Sequence, residues 1–146
     1  MRRTLGWMAV LVVCTLGFAR AAGAGGESTD DTALFDARVT DTKGITTDLR
    51  DFGYATGVNV LMAYRGDADI EIPYRLIRRL DISDFVPQNR RAPATVTLRS
   101  GKAIAVELDA IEEGRLMQGN AEFGEYRIRM GKIRRLELFG NSTSAP

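Results

Sequence analysis

An internal repeat is the feature that most restricts how this chain can fold. Residues 72–82 and 128–138 both follow the pattern I-x4-I-R-R-L-[DE]-[IL], at an interval of 56 residues. Upstream, Val39-Thr40-x3-Gly44 matches Val96-Thr97-x3-Gly101 at an interval of 57, so one residue of loop reconciles the two intervals. Two matches in the same order predict an internal duplication. Because a unit of roughly 50 residues can bury little of its own surface, we expect the two units to pack together as one body.

Apolar and polar residues alternate through both units, which is the pattern of half-buried β-strands. In the second unit, for example, Ile104, Val106 and Leu108 share one face of a strand. No segment has the period of an amphipathic helix, and residues 74–80 are long enough for one turn at most. The sequence therefore predicts an all-β protein with five short strands in each unit.

The spacing of the strands resembles that of SH3-like and Sm-like small barrels. The resemblance is carried by V-T-L-R-S-G-K, which opens a hairpin at residues 96–102, and by E-Y-R-I-R-M-G-K-I-R-R-L-E-L, which closes the unit at residues 125–138. It implies two tandem five-stranded barrels and does not select a function, because small barrels serve many. The predicted order is a signal peptide, a flexible arm, the first barrel, a polar linker bracketed by prolines, the second barrel and a loose tail, at residues 1–24, 25–33, 34–86, 87–93, 94–140 and 141–146.

The N-terminus has the three parts of a secretory signal peptide. Arg2 and Arg3 precede an uncharged apolar stretch, residues 5–18, and a small-residue segment at 19–24 offers two Ala-x-Ala cleavage patterns. The apolar stretch is shorter than the roughly 20 residues of a permanent transmembrane helix. We therefore predict export to the periplasm or the cell exterior. Retention as an anchor and lipidation at Cys14 are the alternatives.

Composition excludes several chemistries from the exported chain. There is no histidine, and Cys14, the one cysteine, would leave with the signal peptide. The commonest general base, the thiol nucleophile and the cysteine metal sites are therefore missing. Cleavage also removes three of the 20 basic residues and leaves 17 against 19 acidic ones, a net charge of about −2. That charge disfavours binding to nucleic acid by phosphate neutralisation. No cofactor motif is found, so no cofactor is predicted.

The repeated arginine pairs Arg78-Arg79 and Arg134-Arg135 are the leading candidate binding residues. If the two units pack about a pseudo-twofold axis, the pairs could form a positive patch for an anionic partner. In the alternative interpretation, one arginine of each pair points to solvent and its neighbour forms a salt bridge. Asp81 and Glu137 are the nearest acids in the sequence.

Acidic and aromatic side chains supply weaker candidates. Asp67, Asp69 and Glu71 alternate along a predicted strand, and oxygen ligands of this kind suit a hard cation such as Ca²⁺. The alternative is an exposed strand face that pairs with arginines. Glu112-Glu113 is interpreted as a solvated loop tip before Gly114. Four aromatic residues, Phe52, Tyr54, Tyr64 and Phe123, are assigned either to a carbohydrate or peptide surface or to the core.

The sequence thus favours a non-enzymatic exported protein that binds another protein or itself in the cell envelope. Unpaired strand edges, or the arm before Leu34-Phe35, would supply the contact by strand addition. The alternative function is an envelope protein whose duplicated arginine face binds an anionic glycan or lipid headgroup. A hydrolase that uses only Asp, Glu, Arg and Tyr is the third hypothesis.

Overall fold

The computed structural model describes residues 31–84 and 90–141. The all-β prediction is confirmed for these residues, which form ten strands, one short α-helix and two 3₁₀ turns. The strands are β1 Phe35–Asp41, β2 Thr46–Tyr54, β3 Val60–Arg65, β4 Ala68–Pro73, β5 Ile77–Ile82, β6 Arg91–Leu98, β7 Ala103–Asp109, β8 Leu116–Ala121, β9 Gly124–Arg129 and β10 Ile133–Asn141. The helix, α1, is Ala110–Gly114, and the turns are Tyr74–Leu76 and Met130–Lys132.

All ten strands belong to one open antiparallel sheet in the order β4-β3-β7-β6-β5-β10-β1-β2-β8-β9. The prediction of two barrels, each closed on its own strands, is not confirmed. Strand β2 pairs with β8 and β3 pairs with β7, so strands of the segments 34–86 and 94–140 interleave. The sheet is not closed, and β4 and β9 are its two edges. Sequence patterns could not reveal this, because alternation defines the face of a strand and not its neighbour.

The sheet has an internal two-fold equivalence. If β1–β5 are exchanged with β6–β10, the strand order is the same when read backwards. The registers agree as well: Val39 opposite Leu136 corresponds to Val96 opposite Leu80, and Leu61 opposite Ile72 corresponds to Met117 opposite Ile128. The interval between counterparts is 57 residues in β1 and β2 and 56 from β3 onward. Such an equivalence is expected of a duplicated chain, and the duplication itself stays a prediction.

The repeated I-R-R-L motif forms a β-bulge in both halves. Ile77 and Leu80 are both buried although they lie three residues apart, and Arg78 and Arg79 between them are both exposed. The register shifts between Ile77 and Arg79, so two residues on β5 face one on β6. The same shift occurs in β10 opposite β1. The bulge directs both isoleucine and leucine to the core, where Leu80 lies opposite Leu136 at the centre of the sheet.

Two of the predicted boundaries fall inside strands. The predicted linker 87–93 lies partly outside the described residues, and its last three residues begin β6. Pro93 is tolerated there because its carbonyl still accepts a hydrogen bond from the Ser83 N–H, at 2.9 Å. Phe35 begins β1, which lies between β10 and β2 in the interior of the sheet. The signal peptide 1–24 and the first six residues of the predicted arm lie outside the described residues, as do residues 142–146.

Helix α1 was missed by the sequence analysis, and it is where the two halves differ most. Asp109 caps the helix, since its carboxylate accepts hydrogen bonds from the backbone N–H groups of Ile111 and Glu112 at 3.0 and 2.8 Å. The counterpart segment in the first half, residues 55–59, is a turn. The helix turns Glu112 inward, and this makes a polar contact that the first half lacks.

Candidate functional site

The two arginine pairs meet at the centre of the outer sheet face. Strands β5 and β10 are antiparallel neighbours, with Arg79 opposite Glu137 and Arg135 opposite Asp81. Both guanidinium groups bind one carboxylate, because Asp81 accepts from Arg79 Nε and Arg135 Nε at 2.7 Å each. The Asp81 carboxylate raises the pKa of Arg135. These two arginines therefore belong to a cross-strand ion-pair network that supports the sheet.

The other two arginines of the pairs differ from each other. Arg134 donates to Asp84 at 2.9 Å. Arg78 has no carboxylate within 4.0 Å among the residues that the structure describes. The predicted continuous patch of four arginines is thus divided: three of the four are neutralised in the described part of the chain, and Arg78 keeps its charge.

Arg78 belongs to a groove of about 540 Å³ that we call the arginine groove. It is lined by Arg78, Arg79, Thr97, Arg99, Glu137, Leu138 and Phe139. Arg99 is held by backbone carbonyls, since its Nε donates to the Arg75 oxygen at 2.8 Å and its Nη1 to the Phe139 oxygen at 2.9 Å. No described carboxylate lies within 4.0 Å of Arg99, so its positive charge is fixed in position and not neutralised.

Phe139 separates the arginine groove from a second groove of about 720 Å³, the Phe139 groove. The Phe139 side chain is 54% exposed, and the Arg38 guanidinium lies 5.7 Å from its ring centroid. Arg50 also lines this groove and has no described ion pair, whereas Arg38 pairs with Asp48 at 2.6 Å. Asp48 raises the pKa of Arg38, and the Arg38 hydrogen bond lowers the pKa of Asp48.

The Phe139 groove has a symmetry counterpart with different chemistry, the Ser83 groove, of about 310 Å³. Every position that lines one groove has its equivalent in the other, at the same intervals of 56 and 57 residues. The polar or aromatic positions that changed are Asp36 to Pro93, Arg38 to Thr95, Asp48 to Ala105, Arg50 to Glu107, Asn120 to Tyr64, Glu122 to Gly66 and Phe139 to Ser83. The fold supplies the groove twice, and one copy alone combines arginines with an exposed aromatic ring.

A third concavity, the acidic cleft, lies between α1 and strands β3 and β4. It has a volume of about 630 Å³, and its rim includes Asp69, Glu71 and Asp109 beside the exposed Met62 and Ile111. Asp67, the other predicted cation ligand, precedes β4 in the turn and does not line the cleft. Among residues 31–84 and 90–141, no three acidic side chains converge on a geometry that could hold a metal ion.

The floor of the acidic cleft contains a buried ionisable cluster. Glu112 is 1% exposed, accepts from Arg115 Nη1 at 3.0 Å and receives a short hydrogen bond from the Tyr54 hydroxyl. Arg115 also lies over the Tyr54 ring, 4.0 Å from its centroid. The Tyr74 ring packs 5.2 Å from that of Tyr54, and its buried hydroxyl has no partner among the described residues.

Burial sets the protonation behaviour of this cluster. Burial raises the pKa of Glu112 above its ordinary value, and the hydrogen bonds from Tyr54 and Arg115 offset part of that rise. Burial also raises the pKa values of Tyr54 and Tyr74 far above the physiological range. For Arg115 burial alone would lower the pKa, but the Glu112 carboxylate outweighs it and the pKa is raised. The cluster anchors α1 to the sheet.

The interpretation of Glu112-Glu113 as a solvated loop tip is wrong for Glu112. The sequence carried a signal for the helix: Asp109 followed three residues later by Glu112 is the spacing of a helix N-terminus. Of the four aromatic candidates, Phe52 and Tyr54 are core residues, Tyr64 is half-buried and Phe123 is 77% exposed. Phe139, the exposed aromatic of the grooves, was missed.

The two edges of the sheet carry opposite charge. On β4, Asp69 and Glu71 are exposed on the outer face, and Asp67 precedes them. On β9, Arg127 and Arg129 are exposed on the outer face. Glu125 also lies there and pairs with Arg127 at 2.7 Å. One edge is therefore uniformly acidic and the other is predominantly basic.

Comparison with models of known protein families gives no match to this chain, and no curated protein sequence matches it. In the part of the chain that the structure describes, no helix is long and apolar enough to cross a membrane. Function is therefore argued from the geometry of this chain alone.

Proposed function

We propose that this protein is an exported, non-enzymatic self-assembly module of the cell envelope, in which the sheet of one copy continues into the sheet of the next. The observation that carries the proposal is the opposite charge of β4 and β9, the two edges of one open sheet. An unpaired strand edge offers N–H and C=O groups to another strand. Charge complementarity then selects which edge it accepts.

One register of β4 against β9 of a second copy satisfies both faces. With the strands antiparallel, Asp69 lies opposite Arg129 of the second copy and Glu71 opposite its Arg127. In this register the acidic Glu125 falls opposite the uncharged Pro73. On the inner face, the apolar contacts are Ile70 with Ile128 and Ile72 with Tyr126. Three of these four inner residues, Ile70, Tyr126 and Ile128, are only partly buried in a single copy, so the contact would cover them further.

The charges favour a head-to-tail contact over a symmetric one. Two β4 edges in antiparallel pairing would bring acid against acid, and two β9 edges centred on Arg127 would bring that arginine against itself. Directly opposed like charges destabilise a strand pair. A copy that adds β4 to β9 keeps the alternation of strand direction, because β4 and β9 run in opposite directions in the sheet. Such a contact does not close on itself and generates an open chain of copies.

Association by this contact should be weak and sensitive to salt. Each opposite-charge pair across neighbouring strands contributes roughly 0.2–1 kcal/mol. Exposed charges are screened over about 10 Å at 0.1 M ionic strength. Support for export and for a non-catalytic role comes from the predicted signal peptide and from the lack of histidine, together with a single cysteine at position 14.

Charge reversal at the edges tests the proposal. One variant carries Asp69→Lys with Glu71→Lys, which makes both edges basic, and the other carries Arg127→Glu with Arg129→Glu, which makes both edges acidic. Protein recovered after expression of the full-length sequence is studied by sedimentation velocity over a range of concentration and salt. We expect wild type to form larger species with rising concentration and each variant alone to stay monomeric. An equimolar mixture of the two variants should associate again.

A matched control changes the same charge away from the edges. Lys43 and Lys102 are exposed in the β1–β2 and β6–β7 turns, so Lys43→Glu with Lys102→Glu should associate as wild type does. A wild type that stays monomeric at all concentrations, or variants that associate alone as well as together, would contradict the proposed function.

A further inference from the structure

The arginine groove has charges that the protein itself leaves unused. Arg78 and Arg99 line it without a carboxylate partner among the described residues, and two backbone carbonyls hold Arg99 in place. Holding a guanidinium in position before binding reduces the entropy that a ligand must overcome. The exposed Phe139 ring stands at the border of the groove and offers an apolar face next to these cations.

The other half of the molecule provides an internal comparison. The equivalents of Arg78, Arg99 and Phe139 are Arg134, Thr42 and Ser83. Arg134 is neutralised by Asp84, and neither Thr42 nor Ser83 supplies a cation or a ring. The sheet therefore does not require unpaired arginines or an exposed aromatic residue at these positions, since its equivalent half is built without them.

We infer that the arginine groove binds an anionic glycan, with a sugar carboxylate between Arg78 and Arg99 and a sugar ring face against Phe139. Guanidinium groups bind carboxylates with two parallel hydrogen bonds, and such charged bonds are stronger than neutral ones. The ring of Phe139 packs against the C–H face of a sugar, while Thr97 and Glu137 at the groove wall can bond its hydroxyl groups. This site is separate from the β4 and β9 edges of the proposed self-assembly.

A sugar acid fits the surroundings better than an anionic bilayer or an acidic peptide. Asp36, Asp48, Glu122 and Glu137 surround the arginines in the two adjoining grooves, and a continuous negative membrane surface would meet all of them. An acidic peptide would bring flexible methylene chains to Phe139. A sugar ring brings a rigid apolar face, which loses less conformational entropy on binding.

Calorimetric titration with tetragalacturonic acid tests the inference, and its methyl ester serves as the neutral analogue. Full-length-expressed wild type should bind the acid and not the ester. Arg78→Ala should weaken binding about tenfold or more, because a charged hydrogen bond is lost. Phe139→Ser, which copies the equivalent Ser83, should weaken it as well. Arg134→Ala removes the symmetry-related arginine and should leave binding unchanged.

Further titrations distinguish the other anionic ligands. Phosphatidylglycerol vesicles and a hexaglutamate peptide are added to the same proteins. Tighter binding of either than of the sugar acid would overturn the assignment to a glycan. It would also be overturned by a wild type that does not bind tetragalacturonic acid, by equal losses in Arg78→Ala and Arg134→Ala, or by equal binding of the ester. Failure here leaves self-association by the edges untouched, since none of these residues lies on β4 or β9.

Discussion

Strands β4 and β9 occupy equivalent places in the sheet and differ mainly on the face that meets solvent. Their inner positions are similar, with Ile72 equivalent to Ile128 and Ile70 equivalent to Tyr126. On the outer face, however, Glu71 is equivalent to Arg127. The core tolerates little change of volume or polarity, whereas exposed charges cost little to exchange. An internally symmetric sheet can thus acquire two ends of opposite charge without any change in its packing.

The largest expected effect lies in the shared core, where the two halves should behave alike. Leu80 and Leu136 are both 0% exposed and face each other across the centre of the sheet. Replacing either by alanine removes buried methyl groups and leaves a cavity, so each variant should lose about 2–5 kcal/mol of unfolding free energy. Urea unfolding measures this. A loss in one variant and almost none in the other would break the equivalence of the halves.

A smaller effect is expected where the halves differ in backbone structure. Asp109 caps α1, and Asp109→Ala should lower the unfolding free energy by about 1 kcal/mol. Asp109→Asn keeps an oxygen acceptor for the two backbone N–H groups and should retain most of the stability. If the alanine and asparagine variants are equally destabilised, the cap does not hold the helix.

The buried Glu112 gives the second half a pH dependence of its own. Because the folded-state pKa of Glu112 is raised above its ordinary value of 4.5, the folded chain binds more protons than the unfolded chain between the two values. Its contribution is complete below pH 4.5 and is lost as pH rises through the raised pKa. Urea unfolding of wild type and Glu112→Gln from pH 4 to 7 should therefore show wild type losing stability relative to the variant. A relative gain with rising pH would contradict the assignment.

The smallest effect on folding is expected at the edges that differ most in charge. Asp69, Glu71, Arg127 and Arg129 are exposed, and none of the four makes a described ion pair with another strand. The charge-reversed variants should therefore unfold within about 0.5 kcal/mol of wild type at concentrations where the protein is monomeric. A larger loss would mean that the edge charges support the fold and do not specify association.

Local patterns in the sequence predicted the strand class and the equivalence of the two I-R-R-L segments, because alternation and repetition are visible along the chain. The pairing of β2 with β8 was not predictable, since it joins residues far apart in sequence. The edges could not be identified for the same reason. Phe139 could have been found: it follows Leu136 and Leu138 in the outward register of Glu137, where an aromatic residue is unusual. The inward turn of Glu112 depended on a helix that the search for longer periodic segments overlooked.

Cross-linking between copies tests the central claim, the head-to-tail contact, most directly. Two chains are prepared, both with Cys14→Ser, one with Glu71→Cys and the other with Arg127→Cys. They are mixed under mild oxidation and analysed by mass. The proposed register predicts that the mixed disulfide forms in excess over both homodimers, because residue 71 of one copy lies opposite residue 127 of the next. Homodimers in equal or greater yield, or no disulfide at concentrations where wild type associates, would contradict it.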